Sequence, residues 1–217
     1  MKEPIKIKPM AIESKSFAII AEEFFQQTGK YPDDFSAAQF AVIQRVIHAT
    51  GDFSFAKNMV FHPEAIKSAL AMLRAGRNIV TDVNMAATGI NKKALEKFGG
   101  KVICQVADPQ IAEIASEQQA TRSEVAMQAA MANKPGIIAI GNAPTALLRV
   151  IDLLKNSEAA PALVIGVPVG FVNAAESKEI LAAQDFPFIT ALGRKGGSPV
   201  AAAIVNALMK LAAAGEN

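Results

Sequence analysis

Arg45 and His48 stand three residues apart in QRVIHATGDF, a spacing that puts both on one face of a helix near its carboxyl end. Val42, Ile43, Val46 and Ile47 cover the buried sector of the same helix. The negative end of a helix dipole favours a protonated imidazole, and Asp52 just beyond can favour it further. A histidine placed there can give or take a proton, although the position equally suits a residue that only caps the last helical carbonyls.

Groups that could hold a carboxylate recur further along. In ATRSE (120–124), Thr121 three residues ahead of Glu124 is a capping box at the start of a helix. That pattern leaves Arg122 and Ser123 unexplained, a guanidinium and a hydroxyl beside the free amides of a first helical turn, which together suit an anion. In IGNAPTAL, Gly141 allows a tight strand exit, Asn142 can cap and Pro144 suits the first turn of a helix. The exposed amides of that turn, with the Thr145 hydroxyl, form a second candidate donor set. GVPVGFVNAAESKE repeats the arrangement with Gly166, Pro168 and Gly170, which permit close approach of a bulky planar ligand. GRKGGSP (193–199) sets Arg194 and Lys195 among three glycines, a flexible basic loop ahead of a helix capped by Ser198. Asp82, in the TDVNM exit from a strand, adds a carboxylate that can also cap the following turn. Ser16, within the first helix, has an ordinary packing role as its plain alternative.

Other chemistries are disfavoured. Two histidines and one cysteine, with no HxxH or CxxC spacing, argue against a metal site, so His62 reads as a turn residue ahead of Pro63 and Cys104 as a core thiol. The basic loop lacks the phosphate-loop spacing, and no GxGxxG with a following acidic residue appears. The 22 basic and 20 acidic residues nearly cancel, which gives no field for nucleic acid or a membrane surface. The amino terminus has no apolar core of signal-peptide length and no later run approaches a membrane span, so the expected location is the cytoplasm.

These residues need a frame. With 217 residues, half of them hydrophobic, the chain can bury one large core, and a single domain over 1–217 with an amino-terminal arm at 1–10 is expected. Apolar spacing and end signals predict helices over 11–27, over 36–51 with Ser36 as N-cap and Gly51 as terminator, and over 63–76, opened by Pro63 and stopped by Gly76. Strands follow at 78–83, 101–106, 136–140, 162–166 and 187–191, alternating with helical stretches that include NKKALEKFG, PQIAEIASEQQ and 122–132. The connections are long enough for parallel crossovers. The expected fold is a three-layer α/β/α arrangement with a five-stranded parallel, flavodoxin-like sheet and extra amino-terminal helices. Ligands of such sheets bind beyond the carboxyl ends of the strands, where the glycine turns fall. The Ala-rich helices suit close packing on the sheet or against a second subunit.

Taken together, ESKSFAIIAEE, RVIHATGDF, ATRSEVAM, AIGNAPTALL, VIGVPVGFVNAAESKE and GRKGGSPVAAAIVNAL resemble the precorrin-8X (cobalt-precorrin-8) methylmutases of cobalamin biosynthesis, from about residue 8 to residue 210. The resemblance implies an isomerase that moves a methyl group from C-11 to C-12 of a tetrapyrrole macrocycle, to give hydrogenobyrinate or cobyrinate, with no cofactor. It implies that His48 is the catalytic proton donor or acceptor and that Ser16, Arg45, Arg122 and Ser123 contact substrate. Asp82 is less securely implied, because TDVNMAATGI is a looser version of the family's strand exit. Asn142, Thr145, Arg194 and Lys195 complete the expected substrate set. A homodimer is implied too, and handover of product to the following side-chain amidase is a further expectation. The competing readings are a non-catalytic tetrapyrrole carrier, which would not need His48, and a dinucleotide-dependent oxidoreductase, which the missing fingerprint disfavours.

Overall fold

A computed structural model describes residues 8–155 and 163–215. Residues 1–7 of the expected arm, and the first position of the strand read over 162–166, lie outside the described residues. In chain order the helices and strands are α1 (Ile12–Thr28), α2 (Ala37–Thr50), α3 (Phe55–Asn58), β1 (Met59–Phe61), α4 (Ala65–Arg74), β2 (Ile79–Thr81), α5 (Asn84–Gly89), α6 (Lys92–Glu96), β3 (Val102–Ile103), α7 (Pro109–Glu117), α8 (Arg122–Met131), β4 (Ile137–Ile140), α9 (Pro144–Lys155), β5 (Leu163–Gly166), α10 (Ala174–Ala182), β6 (Phe188–Ala191) and α11 (Ser198–Ala214).

The sheet has six strands in the order β1-β6-β5-β4-β2-β3, which corrects the expected five. β2 to β6 are parallel, whereas β1 pairs antiparallel with β6 through Met59 opposite Ala191 and Phe61 opposite Ile189. β1 is only three residues long and sits between two helices, too short a run for an alternation to show. The chain winds outward from β2 to β3 and then returns to β4 on the other side of β2. That reversal opens a crevice between the carboxyl ends of β2 and β4.

Alternate residues of the central strands feed two cores. Ile137 and Ala139 of β4, with Ile79, Leu163, Ile165 and Ile189, pack under α1, α2, α4 and α11. Ile138 and Ile140, with Val80, Val164 and Phe188, face α8, α9 and α10. Both faces being covered is why these strands read as unbroken apolar runs. α11 is the main strut of the first layer, buried along much of its length and packed against α2, α4 and α5.

Local end signals operate largely as expected. Ser36 accepts from the Gln39 amide and Gln39 returns a bond to the Ser36 amide, which closes a capping box on α2. Gly51 ends α2 in the left-handed conformation, with φ 67°, and donates its N–H to the Ile47 carbonyl. Several boundaries differ, among them β3, which spans two residues against the expected 101–106. α4 begins at Ala65 rather than at Pro63. Gly197, not Ser198, occupies the N-cap of α11, and Ser198 is the buried first residue of that helix. α5, six residues long and Ala-rich, lies in a segment read only as a strand exit.

Candidate active site

The residues expected at the site fall into three groups along the carboxyl-terminal edge of the sheet and the adjoining helices. The first is held by α1 and α2. Phe17 is its centre: the His48 ring meets it edge-on with centroids 5.3 Å apart, and the Arg45 guanidinium lies over it at 4.7 Å. His48 is exposed, and among the described residues its side chain has no hydrogen-bond partner. The capping alternative is therefore not realised, since the last turn of α2 is closed by Gly51. Ser16, half-buried on α1, donates its hydroxyl back to the Ile12 carbonyl at 2.8 Å and keeps its oxygen lone pairs for another donor.

Arg45 is not a free cation. Its guanidinium donates to both carboxylate oxygens of Glu13, at 2.8 and 3.3 Å, and Lys210 of α11 bonds the same carboxylate. Arg45, then Lys210, pull the Glu13 carboxyl from its ordinary 4.5 down to about 2. Glu13, Arg45 and Lys210 line a groove of about 380 Å³ with Asn91, Lys97 and Asn206. Its ionic lining carries three cations against one anion. Glu13 and Lys210 were not anticipated as site residues. The ESKSF motif contains Glu13, but its partner lies 32 positions away.

The second group closes the crevice between β2 and β4. Asp82 is fully buried, and its carboxylate accepts the backbone N–H groups of Gly141 at 3.0 Å and of Asn142 and Ala143 at 2.8 Å. This corrects two expectations. The amides of the β4 exit are occupied by a carboxylate of the protein itself, and Asp82 positions that turn rather than offering itself to a ligand. Burial pushes the Asp82 carboxyl up from its ordinary value, against the opposing pull of the three amides. What stays accessible is the Asn142 side chain, which is exposed, and Thr145, whose hydroxyl lies 2.8 Å from that of Thr121. Thr121 also accepts from the Glu124 amide, so α8 starts beside α9. Arg122 and Ser123 occupy the first turn of α8, Arg122 exposed and, among the described residues, without an ion-pair partner.

The third group is the 193–197 loop, which is pinned rather than flexible. The Val167 carbonyl accepts from the Gly197 amide at 2.8 Å, the Arg194 carbonyl accepts from Gly170, and the Lys195 carbonyl accepts from the Lys178 ammonium at 2.7 Å. A side chain at Gly196 would lie 2.2 Å from the Val167 oxygen, so only glycine fits. Arg194 is exposed, with its guanidinium 5.3 Å from the centroid of the exposed Phe171 ring. Lys195 reaches the other way, to Asp52 at 2.6 Å and to the Ser54 hydroxyl at 3.0 Å. Burial alone would raise the Asp52 carboxyl, but the bonds from Lys195 and Ser54 outweigh it and hold it below its ordinary value. Asp52 thus ties the loop to the end of the His48 helix. The loop also joins the crevice, because a side chain at Gly141 would lie 2.7 Å from the Cα of Ser198.

Two remaining candidates lie outside this constellation. His62 accepts the Glu64 amide on Nδ1 in the turn before α4, and Cys104 is half-buried just after β3. Among the described residues no cluster of three or more His, Cys, Asp or Glu could hold a metal ion, and no helix is long and apolar enough to cross a membrane.

The chain is similar to known proteins over most of its length. Residues 11–211 match the family model described as precorrin-8X methylmutase. The chain is 46% identical to the cobalt-precorrin-8 methylmutase of Priestia megaterium, over 98% of this chain and 92% of that protein. It is 39% identical to the precorrin-8X methylmutase of a Sinorhizobium species, over 92% and 93%. The crystal structure of a precorrin-8X methylmutase from Thermus thermophilus superposes with a TM-score of 0.83 at 37% identity, covering 94% of this chain and 98% of that one.

Two measurements check the electrostatics. Asp82→Asn leaves at least one of the three turn amides without its acceptor, and is expected to lower the unfolding free energy in urea by about 1–3 kcal/mol. Glu13 has a folded pKa below its unfolded one, so its contribution is complete above about 4.5 and is lost as pH falls through about 2. Because this side chain is nearly half exposed, Glu13→Gln should cost under about 1 kcal/mol at pH 6, with the deficit shrinking as pH falls through about 2 in matched urea titrations.

Proposed function

The chain belongs to the precorrin-8X methylmutase family, isomerases of cobalamin biosynthesis, and from that premise we propose that His48 handles the proton in the migration of a methyl group from C-11 to C-12 of the macrocycle. The observation that carries this assignment is the imidazole itself: exposed, held edge-on by Phe17, and unbonded among the described residues, so that a ring nitrogen can address a substrate. Proton transfer to the conjugated macrocycle, or a hydrogen bond that holds a proton on it, draws electron density from the π system as the C-11–methyl bond breaks and the C-12–methyl bond forms. The proton is returned as the chromophore rearranges. Substrate and product are isomers, so no group or electron is gained or lost.

The rest of the constellation serves to orient. A flat tetrapyrrole edged with acetate and propionate groups requires scattered donors around an apolar cleft. Arg122 and Arg194 are suited to take carboxylates directly, since neither has a carboxylate partner among the described residues. Arg45 and Lys195 are held by Glu13 and Asp52, and in this reading they shape the local field and share a substrate carboxylate with their partners. Ser16, Ser123, Asn142 and Thr145 add hydroxyl and amide contacts. The exposed Phe171 and Val172 offer an apolar surface beside Arg194.

The same reading treats 1–217 as one catalytic domain working in the cytoplasm and pairs two copies of the chain, for which the apolar residues Ile12, Ile19 and Phe25 exposed along α1 are support. It has the product pass to the amidase that next modifies its side-chain carboxylates.

Incubation with precorrin-8X or cobalt-precorrin-8, followed by visible spectroscopy, tests the assignment. Wild-type protein should generate the corrin chromophore, and His48→Gln should slow its formation by about 100-fold or more while still binding tetrapyrrole. Near-normal turnover by the variant would remove His48 from the mechanism, and binding without turnover by the wild type would make the chain a carrier.

A further inference from the structure

Lys178 stands apart from every other lysine in the described chain. It lies on α10, outside the set of residues assigned to proton transfer or substrate contact, and its side chain is fully buried. Among the described residues it forms no ion pair, and its ammonium makes a single hydrogen bond, to the backbone carbonyl of Lys195 at 2.7 Å. A buried ammonium without an anion costs free energy, which one hydrogen bond to a carbonyl offsets only in part. Fold stability therefore does not account for a lysine here.

The place where the bond lands does account for it. The 193–197 segment contains three glycines and is soft in itself. Backbone bonds fix residue 194, through Gly170, and residue 197, through Val167. The backbone of residue 195 lies between those anchors and, among the described residues, is bonded by Lys178 alone. It is also the residue whose side chain crosses to Asp52 and Ser54, just past the end of α2. A continuous relay results: the ammonium of Lys178, the backbone of Lys195, the ammonium of Lys195, and the carboxylate that follows the His48 helix.

We infer that Lys178 is a positioning residue, which fixes the backbone of Lys195 so that its side chain latches the basic loop to Asp52 and holds Arg194 and the end of the His48 helix in register. The placement of the loop rests on geometry alone; its consequence for turnover rests on the proposed function. Burial pushes the Lys178 amine down to about 8, so near neutral pH it keeps the proton that it donates.

Limited trypsin digestion of the native protein reads the latch without any substrate, because Arg194 and Lys195 are both exposed cleavage points. Lys178→Met and Lys178→Gln are compared with wild type for cleavage rate at 194–196, thermal midpoint and steady-state kinetics. The expected result for at least one variant is cleavage about tenfold faster or more at this loop. The midpoint should stay within about 3 °C of wild type or rise, with kcat/KM lower. Cleavage and kinetics unchanged in both variants would overturn the inference, as would a midpoint lowered by about 10 °C or more in both, which would make Lys178 a structural residue. Faster cleavage together with inactivity of the wild type itself would leave the latch standing and count against the proposed function instead.

Discussion

The carboxylate of Asp82 gathers three backbone amides from a turn about sixty residues further along the chain, and the layout of the site follows from that convergence. A parallel sheet that reverses its winding leaves a crevice between two strands, and the amides at the exit of β4 point into it. Left empty, they would form an anion site of the kind phosphate-binding folds use. Asp82 fills it from within, joining the end of β2 to the start of α9, so the donors left for a ligand are side chains around the rim. A broad ligand with carboxylates dispersed about its edge suits such a rim better than one compact phosphate does.

In the proposed reading the proton chemistry sits on a different element, joined to this edge by the Lys195–Asp52 ion pair. α2 runs alongside α11, is capped by Gly51, and presents His48 in its last turn. Phe17 orients the ring from one side, while Asp52 ties the helix end to the basic loop through Lys195. The pairs Arg45–Glu13 and Lys195–Asp52 each keep one partner substantially open to solvent, which limits what they add to fold stability. Their effect is to decide which cations remain open. Among the described residues Arg122 and Arg194 lack a carboxylate partner, and they stand on different elements, α8 and the 193–197 loop.

Much of this layout was legible in the sequence where the signal is local. β2 and the strands from β4 to β6 are apolar runs bounded by glycine, aspartate or proline, and their positions were readable to within a residue or two. Ser36 and Thr121 mark helix starts by side-chain bonds that act over three residues, and Gly51 marks a helix end by its left-handed backbone, as they do in the structure. β1 was hidden because three residues between helices cannot show a period, and its partner is more than a hundred residues distant. The pairing of Asp82 with the 141–143 amides is hidden for the same reason: both halves are visible, each open to a ligand-facing or a turn-building reading, and nothing local joins them. Glu13 was passed over because its partner Arg45 comes from another helix. Lys178 in AAESKE looks like any surface lysine of an amphipathic helix, and only tertiary packing shows that it points inward.

The central claim is that the free imidazole of His48 faces the macrocycle while the carboxylate edge lies along the rim between α8 and the basic loop. A crystal structure of the protein with its corrinoid product bound tests this most directly. A ring nitrogen of His48 should stand within about 3 Å of a polar or reacting atom of the macrocycle, directly or through one water, with side-chain carboxylates on Arg122 and Arg194. A macrocycle seated elsewhere, with His48 open to solvent and those arginines unengaged, would contradict it.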